Sequence, residues 1–345
     1  MEALGAPLAG TTDPALAKRI TARIDSRTKP PGSLGRIEAL AGQIALLQGS
    51  ERPVMARCTL ILFAADHGIA REGVSAFPQE VTGQMLANFL AGGAAANVFA
   101  AVQGVGLRVV DAGVAGAAPA HEKLISRRLG PGTGSFLDGP AMSDAQAQGA
   151  LDNGAALAAQ APGEALACGE MGIANTATAA ALAHKLTGLP LEALIGRGTG
   201  LDDAGLAHKR DVLARACART DTPLPPARAM AEYGGFEITM MAGAMIGAAR
   251  ARRVVLVDGF IATASATLAL ALAPDIRPAL VFAHRSAEAG HDALLRHLDA
   301  QPLLDLQMRL GEGTGALLAW PLLRAAAHMM TDMAGFDEAG VSGAP

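Results

Sequence analysis

Apolar and polar positions along this chain recur in one unit. A short apolar run is followed by a turn carrying an acid, a histidine or glycines, and then by a segment of helical period. Cys58–Ala65 (CTLILFAA) is the clearest run and predicts a strand buried on both faces, ending at Asp66-His67-Gly68. Leu107–Val110 runs into Asp111-Ala112-Gly113, and Ala165–Cys168 into Gly169-Glu170-Met171-Gly172. Val254–Val257 ends at Asp258-Gly259, and Ala279–Ala283 at His284.

Between these runs the spacing predicts helices at Ala15–Ile24 and Arg36–Leu47, separated by the rigid turn Thr28–Gly35. One long helix is expected from about Gln79 to Val102. A capping box at Ser143–Gln146 opens another to about Gln160, and Asn175 or Thr176 caps one to about Leu186. Ile238–Arg250 and Thr314–Met333 read as helices, and the tail after Gly335 as loose. Strand, turn and helix in alternation predict an α/β fold with a parallel sheet wrapped by helices, whose ligands bind outside the carboxyl ends of the strands. No linker marks a domain boundary, so any second domain is expected from the terminal helices.

Composition narrows the function. The chain has 345 residues, 51% hydrophobic but only 3% aromatic, with a formal net charge of −4. No basic run and no set of stacking aromatics suggests a nucleic-acid partner, so the expected partner is a small molecule. No apolar stretch approaches about 18 uninterrupted residues, so no membrane span is expected. The N-terminal MEALGAPLAGTTDPAL lacks a signal-peptide pattern. Cys58, Cys168 and Cys217 have no C-x-x-C spacing and read as reduced thiols of a cytoplasmic protein. A reactive thiol at Cys168 is weighed against a small buried filler, which is favoured.

Several turns could carry chemistry. In Arg309-Leu310-Gly311-Glu312-Gly313-Thr314-Gly315 a carboxylate sits between glycines just before a helix; it could take a proton from a nucleophile, or simply start the helix. Glu170 sits between Gly169 and Gly172 near the start of another helix, where free N–H groups could hold an anion and the acid could face developing positive charge. The alternative is an ordinary strand-to-helix turn. Gly196-Arg197-Gly198-Thr199-Gly200 with Lys209 could hold a phosphate, although in isolation such a glycine string is favoured as a plain loop and no Walker pattern is present. In Gly234-Gly235-Phe236-Glu237 the glycines could approach a ligand, with Glu237 favoured as a capping carboxylate. His67 and His284 are weighed as acids or ligands but favoured as hydrogen-bonded structural groups. No His/Cys cluster has metal-ligand spacing, so neither a metal nor a cofactor is expected. The run Val254-Val255-Leu256-Val257-Asp258-Gly259-Phe260 lacks the second acid of the loop that binds phosphoribosyl pyrophosphate.

KPPGSLG at 29–35, ADHG at 65–68, GEMGIANT at 169–176, GGFE at 234–237, LVDGF at 256–260 and RLGEGTGA at 309–316 follow one another in series. In this order they resemble the nicotinate-nucleotide–dimethylbenzimidazole phosphoribosyltransferase family over nearly the whole chain. The resemblance implies a Rossmann-like α/β domain with a small helical domain formed from both chain ends. It divides the chain into 1–50 (N-terminal helices), 51–310 (nucleotide-binding core) and 311–345 (C-terminal helix and tail). It implies ribose 5-phosphate transfer from nicotinate mononucleotide to 5,6-dimethylbenzimidazole or a related base, in assembly of the cobalamin lower ligand. It also implies a homodimer that completes each active site. By the resemblance Glu312 is the general base and Glu170 the second carboxylate, near the ribose. Gly172, Asn175, Thr176, Gly198, Gly200 and Lys209 would contact the donor and its phosphate, and Gly234, Gly235, Asp258 and Leu310 would complete the substrate site. Phe77 and Met85 align with acceptor-pocket positions that are polar in some members; here they are apolar, which favours flat apolar bases over purines. The competing expectations are a hydrolase of the same glycosidic bond, a nucleotide sensor without activity and, less favoured, a dinucleotide oxidoreductase, which would need G-x-G-x-x-G after the first strand.

Overall fold

The computed structural model describes residues 13–117 and 119–342. Residues 1–12, most of the segment read for a signal peptide, and the last three residues lie outside that range. Six strands form one parallel sheet: β1 (Cys58–Ala65), β2 (Gly106–Gly113), β3 (Leu124–Ser126), β4 (Ala165–Met171), β5 (Val254–Val257) and β6 (Leu280–Phe282). Their order is β3-β2-β1-β4-β5-β6. The chain thus grows outward from β1 in one direction, then returns to β1's other side and grows the opposite way. The carboxyl ends either side of that reversal are where such sheets bind ligands. All eight residues of β1 are buried, as its unbroken apolar run requires. The strand β3 was not expected: three residues at a sheet edge carry too short a pattern to read.

Helices α1 (Pro14–Asp25) and α2 (Arg36–Gln48) precede the sheet. Helices α3 (Glu80–Ala91) and α4 (Ala95–Gln103) replace the single long helix expected over 79–102. Gly92, at φ 85°, ends α3 and turns the chain. The stretch Glu80–Gln103 is apolar and long enough to cross a membrane by composition. Folded as helices of 12 and 9 residues, it falls short of the roughly 20 residues a span needs. The pair Gly92-Gly93 is therefore a break between two helices.

Helix α5 (Asp144–Ala159) starts with the expected capping box at Ser143 and Gln146. Next come α6 (Asn175–Thr187), α7 (Leu191–Leu194), α8 (Asp203–Cys217), α9 (Pro226–Tyr233) and α10 (Phe236–Arg250). The last four are α11 (Phe260–Leu272), α12 (His291–His297), α13 (Thr314–Thr331) and α14 (Phe336–Ala339). Helix α10 packs on the sheet and α5 packs on α10 with backbones in contact. A Cβ at Gly154 would overlap the Met240 carbonyl and come within 2.8 Å of the Ala244 nitrogen.

The chain ends are fastened together. Thr28 N–H donates to the Ala334 carbonyl (3.0 Å), Phe336 N–H to that of Ser26 (3.2 Å), and Arg23 Nε to that of Met330 (2.9 Å). Leu16, Ile20, Ile44, Trp320 and Leu323 from these terminal helices share one continuous core with the strands. The segment after Gly335, expected to be loose, forms the short α14, with Gly335 N–H bonded to Glu338 Oε2 at 2.8 Å.

Because α5 and α10 touch backbone to backbone, Gly154→Ala should destabilise the protein by about 1–3 kcal/mol through overpacking. A lower urea midpoint with an unchanged denaturation slope would report it.

Candidate active site

A cavity of about 610 Å³ opens at the carboxyl ends of β4, β5 and β6. That is the size and place of a small-molecule site in such a sheet. Four acids line it: Glu288 in the segment after β6, and three more. Glu170 is the second-last residue of β4, Asp258 follows β5, and Glu312 stands two residues before α13.

The loop bearing Glu312 has an unusual backbone. Gly311, Glu312 and Gly313 have φ of 83°, 60° and 78°, three left-handed residues in a row. Only the glycines adopt this without steric cost; Glu312 is held there at a strain of order 1–3 kcal/mol. The loop lies directly on β4 at Gly169, where a Cβ would stand 2.7 Å from the Glu312 carbonyl carbon. A Cβ at Gly311 would overlap Glu170 Oε1, so loop and carboxylate touch. Asp258 Oδ1 accepts from Ala316 N–H at 2.9 Å and ties the start of α13 to the end of β5. The Glu312 carboxylate is 5% exposed, and its Oε2 accepts from Ala96 N–H of α4 at 3.1 Å.

Burial dominates the electrostatics. It pushes Glu170 up to about 8, helped by the nearby charges of Glu237, Asp258 and Glu312 and opposed by the amide of Asn175. Asp258 is also raised by burial, against the pull of His284 and the amides at the start of α13. Glu312 is raised by burial and by Asp258, against the hydrogen bond from Ala96.

The rest of the lining is part apolar and part polar. Phe77, Val81, Met85 and Leu310 form an apolar wall; Phe77 and Leu310 are about half exposed, at 50% and 58%. The lining also includes the polar Thr176, Thr199, Ser286, Glu288 and Arg309, with Gly198 among them. Behind Thr176, the buried Lys209 Nζ donates to Thr176 Oγ1 (2.9 Å) and to the Gly196 carbonyl (3.2 Å). Burial pulls Lys209 down to about 8, moderated by Glu288.

Of the residues singled out in the sequence, Glu312, Glu170, Gly172, Asn175, Thr176, Gly198, Asp258, Phe77, Met85 and Leu310 line this cavity. Lys209 reaches it through Thr176. Gly200 sits beyond the lining on an exposed loop. Gly234 and Gly235 do not line it either; Gly235 packs against the ring of His67. Glu237 is not a cap: fully buried, it bonds His67 Nε2 at 2.7 Å, while His67 Nδ1 meets Thr178 Oγ1 at 2.9 Å. The His67 ring is thus a structural link between α10 and α6. Neither Asn175 nor Thr176 caps α6; Ala174, at φ 73°, holds the cap position and the Asn175 amide bonds Glu170 instead. Cys168 is a buried filler whose thiol is pushed up to about 12. The described residues contain no cluster of three metal-ligating groups. Ser286 and Glu288 were missed. They follow β6, so the rule that placed Glu170 and Asp258 at strand ends would have pointed to them.

A family profile described as phosphoribosyltransferase matches residues 10–341. The chain belongs to the nicotinate-nucleotide–dimethylbenzimidazole phosphoribosyltransferase family. The relative of that name from Cupriavidus taiwanensis is 55% identical, over 96% of each chain. The one from Aromatoleum aromaticum is 53% identical, over 95% of this chain and 96% of its own. The crystal structure of CobT from Thermus thermophilus is 46% identical and superposes with a TM-score of 0.93, covering 96% of this chain and all of that one.

Glu170 holds its proton more tightly folded, at about 8, than at the ordinary 4.5. Its contribution to stability is therefore fully present below 4.5 and lost as pH rises towards 8. Relative to Glu170→Gln, the ligand-free wild type should lose stability across that window. Urea denaturation of both proteins from pH 4.5 to 8 measures it; a constant difference would contradict the assignment.

Proposed function

We propose that the chain transfers ribose 5-phosphate from nicotinate mononucleotide to 5,6-dimethylbenzimidazole or a related flat base, giving α-ribazole 5′-phosphate and nicotinate for the cobalamin lower ligand. The observation that carries this is one cavity lined by apolar Phe77, Met85 and Leu310, by Thr176 with Lys209 behind it, and by Glu170 and Glu312.

An azole nitrogen attacks C1′ of the ribose. The C1′–N bond to the pyridinium breaks, its electron pair returns to the nicotinate ring nitrogen, and the azole N–H proton passes to Glu312. Nicotinate leaves without needing a proton, so a base is the chief requirement. Attack opposite the leaving group converts the β-linked donor into an α-riboside. Glu170 and Asp258 supply the negative surroundings that suit a cationic pyridinium and an oxocarbenium-like ribose. Arrival of the cationic ring favours the ionised form of Glu170, lowering the high proton affinity that burial gives it in the empty site. Thr176, Gly198 and Lys209 hold the phosphate, with Gly172 and Asn175 beside the ribose; Gly200 is assigned to the same loop. Gly235 acts from behind, by setting His67 and Glu237, and Gly234 by letting the chain turn tightly over the Met230 carbonyl of α9. Phe77, Met85 and Leu310 select the base by packing. We place the protein in the cytoplasm and propose a homodimer, which the exposed Val98 and Val102, one turn apart on α4, favour.

Incubation with nicotinate mononucleotide and a panel of bases, with mass analysis, should give the riboside phosphate of benzimidazoles ahead of purines. Equal nicotinate release without any base would identify a hydrolase instead. Glu312→Gln should lower kcat by about 10²–10⁴ with little change in KM for the donor. Lys209→Met should raise KM for nicotinate mononucleotide about 10–100-fold, the loss of a charge-assisted hydrogen bond. In the wild type kcat/KM should fall above about pH 8, where Lys209 loses its proton, and that basic limb should vanish in Lys209→Met.

A further inference from the structure

Helix α4 begins Gly92-Gly93-Ala94-Ala95-Ala96, a sequence with no side chain able to cap it. Ala94 holds the cap position and offers no acceptor; Asn97 accepts from the Ala94 N–H but cannot serve the first-turn amides beyond it. The acceptor arrives from 216 residues away: Glu312 Oε2 takes the Ala96 N–H at 3.1 Å, in a buried setting. Among the described residues no other donor holds the Glu312 carboxylate. The partner that a capping Ser or Asp would normally supply is thus the carboxylate assigned above as general base.

We propose that the Ala96 N–H is the positioning group of the catalytic base, fixing one oxygen of Glu312, leaving the other for the acceptor's proton, and setting the pH at which the base becomes available. This rests on reading Glu312 as the base. The titratable and charged groups that share the cavity with that carboxylate are Glu170 from β4, Asp258 after β5, His284 and Glu288 after β6 and Arg309 on its own loop; α4 carries no charged residue. The acids disfavour a second negative charge in the cavity, and the amide of α4 is the contact that favours it. Residues 77–96 supply both the wall formed by Phe77, Val81 and Met85 and this amide. The acceptor and the base are therefore held by one continuous segment.

Ala96→Pro deletes the N–H at the second residue of α4, where no intrahelical partner is lost and proline is tolerated. The acid limb of the kcat–pH profile should then move up by about one to two units. Plateau kcat should fall about 10-fold as the carboxylate loses its fixed orientation, while the donor KM should change little. An unmoved limb in folded Ala96→Pro would overturn the proposal. Because proline also restrains Ala95, a second measurement uses the unaltered backbone. The amide resonance of Ala96, assigned with Ala96→Gly, should titrate with the acid limb in the wild type and stop titrating in Glu312→Gln. An Ala96 amide indifferent to pH would overturn the proposal as well. Full turnover by Glu312→Gln would bring down the base reading together with this one, whereas an unmoved limb alone would leave the base reading standing.

Discussion

The site depends on one close approach. Strand β4 has no side chain at Gly169, and into that space the backbone of residues 311–313 is laid, close enough that any Cβ there would collide with the Glu312 carbonyl. This brings a carboxylate from far along the chain against Glu170 on a central strand. The same stretch must run through three successive left-handed residues, which is why glycines flank Glu312 on both sides. Asp258 then binds the first amides of α13, and α13 packs on α2 and α4. The strain at Glu312 is carried by a rigid surround of strand, helix and core.

Several acids crowd into an interior with little water, and burial raises Glu170, Asp258 and Glu312 together. Such a cluster is costly when empty and suited to a positively charged ring when occupied. Lys209 is the counterpart of opposite sign: a buried ammonium pulled down to about 8, at its most cationic once a phosphate lies beside it. Acids in the lining and Lys209 behind Thr176 put groups of both signs around one cavity. A donor carrying a pyridinium at one end of its ribose and a phosphate at the other matches that pairing of signs.

Much of this was legible in the sequence because buried parallel strands leave an unbroken apolar signature and their carboxyl ends collect the polar punctuation. Glu170 and Asp258 could be placed that way, and Glu312 by the glycines on either side of it just before a helix. What was not legible depended on partners that only the fold brings together. Glu237 looks like a cap until His67, 170 residues away, takes its carboxylate. Asn175 looks like a cap until the turn after β4 folds and Glu170, only five residues back, claims its amide. The break at Gly92-Gly93 was hidden because the residues on either side keep a helical, apolar pattern. The edge strand β3 exists only because β2 is there to pair with it. Glu288 stands where the strand-end rule points, after β6; its bond to the Gly198 N–H, at 3.2 Å, is what only the fold supplies.

The bonds that stitch Ser26, Thr28 and Arg23 to residues 330–336 make the described molecule nearly a closed ring. In a ring, the place where synthesis starts is a matter of convenience. A circular permutant that joins the present ends and opens a surface turn elsewhere would keep the same architecture. One passage must remain unbroken, from the left-handed turn at 311 through α13, because its two anchors, Asp258 at one end and Arg23 at the other, hold Glu312 on the strand only while the helix between them transmits the restraint.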